Sequence, residues 1–243
     1  MSAIYKREML SYFTSPIGYV FSAIFFAISG VVFSLSTVAS GTTDTKGYFS
    51  TMLLFFVVLI PLLTMKLLSE ERKTKTEQIL MTSPVSLIGI VCAKFLAAFT
   101  IFAGTLITSS VLNMASLYAI AHEQENVISK LNIPTVVGSV VGILLIGAVF
   151  ISIGLFISSL TENQIVAAVI SIGAFVLIIA ASAFASMINN TAMRVVVKWF
   201  SVMDRYASFT SGMFDFTALI YYLSLAVVFI FLTVRVYEKR RWE

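Results

Sequence analysis

Six stretches of this chain are each long enough to cross a bilayer as a helix: roughly residues 17–38, 49–68, 87–118, 135–160, 165–188 and 217–236. About 20 mostly apolar residues wound as an α-helix span the ~30 Å hydrocarbon layer. Only helices and closed barrels satisfy their own backbone there, and runs of this length are helical. Composition agrees. The 243 residues are 59% hydrophobic and only 12% charged, about half the charged fraction of a soluble domain. The expected fold is a single all-α integral membrane domain, residues 1–243, with six transmembrane helices. Runs 87–118 and 135–160 exceed one perpendicular crossing, so they tilt or continue as helix beyond the bilayer.

Orientation follows from the basic residues. With the N-terminus inside, Lys6, Arg7, Lys66, Arg72, Lys73, Lys75, Lys94, Arg235, Lys239, Arg240 and Arg241 fall on the cytoplasmic side, leaving Lys46, Lys130, Arg194, Lys198 and Arg205 outside. That is the positive-inside bias, with both termini cytoplasmic. Tyr5, Tyr12, Tyr19, Tyr48, Tyr118, Tyr237 and Trp242 lie near span ends, as interfacial aromatics do. Lys6, Arg7 and Glu8 precede an apolar run longer than a signal h-region, so the first span is expected to stay. The net charge of +4 reads as topology rather than as a nucleic-acid surface.

Several chemistries lack their residues. No phosphate-binding G-x-x-x-x-G-K-[ST], H-E-x-x-H or G-x-S-x-G occurs. The single histidine, His122, cannot build a histidine metal site, and the single cysteine, Cys92, excludes an intrachain disulfide. No ionisable residue falls mid-span; Lys66 and Lys94 sit near cytoplasmic ends, where they are expected to snorkel. A proton-driven transporter needs intramembrane carboxylates or histidines, so energy for transport is expected to come from elsewhere. The remaining catalytic alternative is a Ser–Lys nucleophile pair.

One segment breaks the apolar pattern: Ser69-Glu-Glu-Arg-Lys-Thr-Lys-Thr-Glu-Gln-Ile-Leu-Met-Thr-Ser-Pro-Val-Ser86. Glu70 to Met81 suits a short helix, with Glu71–Lys75 and Lys73–Glu77 at i, i+4. Ile79, Leu80 and Met81 add an apolar edge. Ser83 is an expected N-cap and Pro84 an expected first helical residue for the third span. The same Thr-Ser-Pro follows Ile4–Phe13 at residues 14–16, so both sites read as an in-plane helix with an elbow into the bilayer. A solvated loop explains Arg72, Lys73 and Lys75, but not the interleaved glutamates; mixed charge with an apolar edge suits a soluble partner.

At these residues the chain resembles the permease subunits of ABC type 2 exporters, nearest the branch of gliding-motility and nitrous-oxide-reductase-maturation permeases. The resemblance rests on Arg7-Glu-Met-Leu-Ser-Tyr-Phe-Thr-Ser-Pro-Ile-Gly-Tyr, Leu63-Thr-Met-Lys-Leu-Leu-Ser-Glu-Glu-Arg, Thr76-Glu-Gln-Ile-Leu-Met-Thr-Ser-Pro-Val-Ser, Ser159-Leu-Thr-Glu-Asn-Gln and Asp204-Arg-Tyr-Ala-Ser-Phe. It implies a multi-pass bacterial plasma-membrane subunit that exports a substrate with ATP hydrolysed on another chain. The alternative is an ATPase-driven scaffold, signalling or mechanical subunit through which nothing passes.

The resemblance also implies roles. Residues 1–16 would be the amphipathic connecting helix, 70–83 the cytoplasmic coupling helix between spans two and three, and 189–216 an outside re-entrant or cap region. ATPase-docking residues would be Glu70, Glu71, Arg72, Lys73, Thr76, Glu77, Leu80, Thr82, Ser83 and Pro84, with Thr161, Glu162, Asn163 and Gln164 as a smaller second contact. Lys75 departs from the family, which usually has Gly there; Lys is the better helix former, so a more helical elbow is expected. No catalytic residue, metal or cofactor is assigned to this chain; ATP and Mg²⁺ belong to the ATPase, present in two copies. A second permease, identical or different, and membrane lipid are expected partners, and an accessory membrane protein is a further one to allow for. Gly138-x-x-x-Gly142 and Ala181-x-x-x-Ala185 permit close helix approach, either within one subunit or at a dimer seam. Asn113 either lines a path or bonds a neighbouring helix. Asn189-Asn-Thr191 matches the glycosylation sequon by chance. The 21 phenylalanines and uncharged mid-spans lean slightly toward a lipid, hydrophobic-peptide or glycolipid substrate.

Overall fold

The protein is described here by a computed structural model covering residues 1–41, 44–78, 85–123, 132–187 and 201–242. The described elements are helical: α1 (Ser2–Thr14), α2 (Pro16–Phe33, extended by a wider π turn, Ser34–Val38), α3 (Lys46–Thr64), α4 (Ser69–Lys73), α5 (Leu87–Glu123), α6 (Ile133–Leu160), α7 (Gln164–Met187), α8 (Val202–Thr210) and α9 (Phe216–Trp242). Six helical segments among these residues have the length and hydropathy to cross a membrane.

α6 is the axis of the bundle. It packs against α3, α5, α7, α8 and α9, and 72% of its apolar window is buried inside the chain, against 17% for α7. Its sequence explains this. Small residues (Gly142, Gly147, Gly154, Ser139, Ser152, Ser158) are spaced among Ile, Leu and Phe, letting neighbouring backbones approach closely. Phe25 of α2, Phe56 of α3 and Phe102 of α5 fill the adjoining core, with ring centroids 5.9 and 5.2 Å apart along the row. Phe150 stacks on Phe175 of α7 at 4.4 Å.

Gly138 and Gly142 admit α8, an amphipathic helix of this same chain. A Cβ on Gly142 would lie 2.9 Å from the Tyr206 ring, and one on Gly138 would meet the Phe209 carbonyl oxygen. Ser201 caps α8 by accepting from the Asp204 amide at 3.2 Å. Of the expected cap region, residues 189–200 lie outside the described residues, as does the sequon. Ala181 is half-buried, and the side chain of Ala185 also lies outside what is described.

Asn113 bonds neighbouring helices. Its amide donates to Ser29 of α2 and to Tyr48 of α3, both at 3.0 Å, and Ser29 also meets Tyr48 at 2.7 Å and Ser109. An uncharged polar knot of this kind ties three spans together. It also corrects the reading of Tyr48 as an interfacial aromatic: Tyr48 is fully buried, as are Tyr12 and Tyr237 nearly so.

The expected continuous helix over 70–81 does not form. α4 ends at Lys73, Thr74–Thr76 make a turn, and Lys75 adopts φ 59°. Neither expected pair, Glu71–Lys75 nor Lys73–Glu77, is made, because the turn carries the residues off one helical face; Lys66–Glu70 forms instead at 3.5 Å. Ile79 to Pro84, including Leu80, Thr82, Ser83 and Pro84, lie outside the described residues. α5 starts at Leu87, and Ser86, not Ser83, caps it by accepting from the Gly89 amide at 3.2 Å. A lysine in the left-handed region carries a steric cost that glycine avoids. Lys75→Gly is therefore expected to raise the stability of the purified chain by roughly 1 kcal/mol, read as a higher thermal midpoint in detergent.

Candidate functional site

Arg7 and Glu8 of α1, Lys94 of α5 and Glu71 in the α3–α5 connection gather at one end of the bundle. There α1, α4, the start of α5, the α6–α7 turn and the end of α9 meet. α1 turns Glu8 and Tyr12 toward the protein and leaves Leu10 and Phe13 exposed. This is the reverse of a soluble helix, whose apolar side faces the core. The elbow that follows has Ser15 extended, at φ −90° and ψ 152°, and Pro16 at the first helical position.

Lys94 lies at the centre. Its side chain is 1% exposed, so the expectation that it snorkels is corrected: folded helices close over it. Nζ donates to Glu8 at 3.0 Å, to Glu71 at 2.9 Å and to the Leu67 carbonyl at 2.8 Å. Its three donors are thereby committed to three acceptors, an arrangement suited to an ion-pair node rather than to a Ser–Lys nucleophile pair. Arg7 reaches the same Glu71 Oε1 at 3.0 Å. One carboxylate oxygen thus joins α1, α4 and α5. Tyr12 adds a second tie by donating to the Leu63 carbonyl at 3.1 Å, one of the acceptors that the end of α3 leaves free. Burial first, and then Glu8, push the Tyr12 phenol above its ordinary pKa, so it remains a donor.

Ser158 of α6 holds the passage from α3 to α4. Its hydroxyl accepts from the amides of Leu68 and Ser69, at 3.2 and 3.1 Å, and donates to the Met65 carbonyl at 3.2 Å. Sequence reading missed this residue, because nothing local to Ser158 announces a contact 90 positions away. Arg72 then connects the two segments expected to touch an ATPase. It meets Glu162 at 2.9 Å and donates to the Leu160 carbonyl at 3.0 Å. Asn163 shapes the turn, receiving the Ile165 amide on its side chain at 2.9 Å, and Thr161 accepts from the Asn163 amide at 3.2 Å. Gln164 begins α7. From α9, Arg240 pairs with Glu77 at 3.4 Å and donates to the Ser159 carbonyl.

The sequence-expected docking residues therefore divide by position. Glu71 and Glu77 are buried, at 7% and 8% exposure, and are held by Lys94, Arg7 and Arg240. Glu70 and Arg72 are half-buried, while Lys73, Thr76 and Glu162 are exposed. No group of His, Cys, Asp and Glu suited to a metal occurs among the described residues.

Replacing Lys94 by Met would strand two buried carboxyl groups. We expect a loss of about 3–5 kcal/mol, measured by denaturation in detergent. The triple variant Glu8→Gln, Glu71→Gln, Lys94→Met is expected to recover a large part of it, which a mere packing role for Lys94 would not allow.

A search of curated proteins finds no match. Against protein-family models, residues 2–242 match the ABC-2 family transporter protein model. Together with the six apolar helices, that match over nearly the whole length identifies a multi-pass membrane protein belonging to the ABC-2 transporter family, whose members are the transmembrane part of ABC transporters.

Proposed function

We propose that the chain is an exporter permease that transmits the motion of a separate cytosolic ATPase into its spans. In this reading the charged end of the bundle faces the cytoplasm of a bacterium, with both termini there. Residues 70–83 form the coupling element, entered by the short helix α4, and 161–164 form the second contact. Two ATPase subunits bind ATP and Mg²⁺, and two permeases, identical or different, complete the transporter. Nucleotide-driven closure of the ATPases draws the two coupling elements together and rocks the spans as near-rigid bodies. The reading of the branch as that of gliding-motility and nitrous-oxide-reductase-maturation permeases belongs to the same proposal, as does the outside cap role for 189–216.

The supporting observation is the Arg72 bridge. It joins α4, the start of the proposed coupling element, to the α6–α7 turn, so the described parts of both proposed contacts lie side by side. Gly138 and Gly142 serve packing inside the subunit in this reading, since α8 already fills them. The exposed residues Lys73, Thr76 and Glu162 are the ones a partner meets first; Glu71 and Glu77 act behind them by holding the surface in shape.

Co-purification from the native membrane tests this. An ATPase is expected with the wild type and is expected to be lost, or weakened at least tenfold, with Lys73→Glu plus Thr76→Glu, an effect of buried-interface charge substitutions. The chain's thermal midpoint should stay unchanged. Absence of any ATPase from the wild type in mild detergent contradicts the proposal. ATP hydrolysis that proceeds with no transported species would favour the scaffold or mechanical role.

A further inference from the structure

α1 roofs an apolar groove between the first and third spans. Its Tyr5 hydroxyl donates to Thr100 of α5 at 3.1 Å, and its Phe13 ring meets Tyr19 of α2 edge-on, with centroids 6.3 Å apart. α1 thus bridges α5 and α2 at the charged end of the bundle. Beyond it the two spans leave a groove of about 340 Å³, bounded by Met9 and Phe13 on α1, Ser22 and Phe26 on α2, and Gly104 and Thr108 on α5. From Pro16 to Phe26 the first span rises about 15 Å, half of a hydrocarbon layer of ~30 Å, so the groove runs the depth of one leaflet. It opens sideways: Tyr19 and Phe26 are 60% and 37% exposed, and Gly104 and Thr108 are exposed as well.

The walls offer a polar guest little. Thr100 and Thr105 donate to the Leu96 and Ile101 carbonyls of their own helix, at 2.7 and 2.8 Å, so their protons are spent. No charged side chain lines the groove among the described residues. The mouth is different. Glu8, the only acid of α1, is turned inward onto Lys94, and Glu71 is shared by Lys94 and Arg7. Two carboxylates and two cations balance there. Lys6 stands outside that balance, exposed, on the same side of α1 as Met9 and Phe13, which follow it by three and seven residues. The helix that carries it also leaves Leu10 and Phe13 exposed, the character of a helix lying in the headgroup layer. An uncompensated cation at headgroup depth thus stands beside a groove of hydrocarbon character.

We propose that this groove holds an anionic phospholipid. One acyl chain lies along α2 and α5, and the headgroup meets Lys6. Charge complementarity selects the occupant: a zwitterionic headgroup brings its own cation to Lys6, whereas a net-anionic one does not. Only the assignment to the cytoplasmic leaflet rests on the orientation proposed above.

The test uses the full-length permease alone, without ATPase, so its outcome is separate from that of the docking experiment. Native mass spectrometry in detergent measures binding of dioleoyl phosphatidylglycerol and dioleoyl phosphatidylcholine, which share their acyl chains. Phosphatidylglycerol is expected to bind roughly fivefold tighter, the worth of one lysine against an anionic headgroup. Lys6→Gln is expected to erase that difference while both lipids still bind. Gly104→Phe places its side chain in open space rather than against the protein, and so fills the groove. It is expected to weaken both lipids about tenfold, the worth of two CH₂ groups no longer buried, with the thermal midpoint unchanged. Thr108→Phe fills the same groove and serves if Gly104→Phe fails to fold. Equal binding of the two lipids, a difference that survives Lys6→Gln, or binding that survives both groove-filling variants overturns the proposal. If Gly104→Phe instead breaks a permease dimer and leaves lipid binding intact, a second copy occupies the groove, and the proposal is likewise overturned.

Discussion

The burial of Lys94 is the constraint around which this end of the molecule is arranged. An ammonium removed from water is tolerated only with partners in good geometry, and its partners come from three separate parts of the chain: Glu8 in α1, Glu71 in α4 and the Leu67 carbonyl between α3 and α4. Satisfying one lysine therefore ties the N-terminal helix, α4 and the third span together. Arg72 and Arg240 extend the same logic to the α6–α7 turn and to α9. Each cation bridges elements far apart in sequence, which is what a rigid transmission surface requires.

Away from that end the bundle is held by different means. The spans associate through packing and a few uncharged polar contacts, because lipid offers no hydrophobic contrast between helices. α6 supplies small residues and receives its neighbours on most sides. The Ser29–Tyr48–Ser109–Asn113 knot is satisfied internally. The ion pairs that join separate helices thus gather at the end where a partner is proposed to act, and the interior has no ion relay among its described residues. That division fits a machine driven from outside the membrane.

Much of this was readable from residue order. The spans follow from apolar run length, and all six appear within a few residues of where hydropathy sets them. The elbow at Thr14-Ser15-Pro16 followed from proline chemistry. The misreadings share one cause: local pattern carries no information on which distant group will arrive. Lys94 looked like a snorkelling lysine because its sequence neighbours are apolar; Glu8 and Glu71 changed its fate. Glu71 and Glu77 had Lys75 and Lys73 as expected partners by i, i+4 spacing, but the tertiary cations Lys94, Arg7 and Arg240 took them. Lys75 looked helical by propensity, and the turn needed between α4 and the next segment overrode it. The role of Ser158 had no local signal at all.

The proposal that α1 and the proposed coupling segment move as one body can be measured directly. Spin labels at Leu10 and Lys73, both exposed, report the distance within one permease of the reconstituted, ATPase-bound transporter; labels at Lys73 of the two permeases report the distance between coupling segments. On trapping ATP, the distance within one subunit should stay the same while the distance between subunits shortens. A change between Leu10 and Lys73 of the same subunit would show that the Glu8–Lys94–Glu71 node opens during the cycle and would contradict the account.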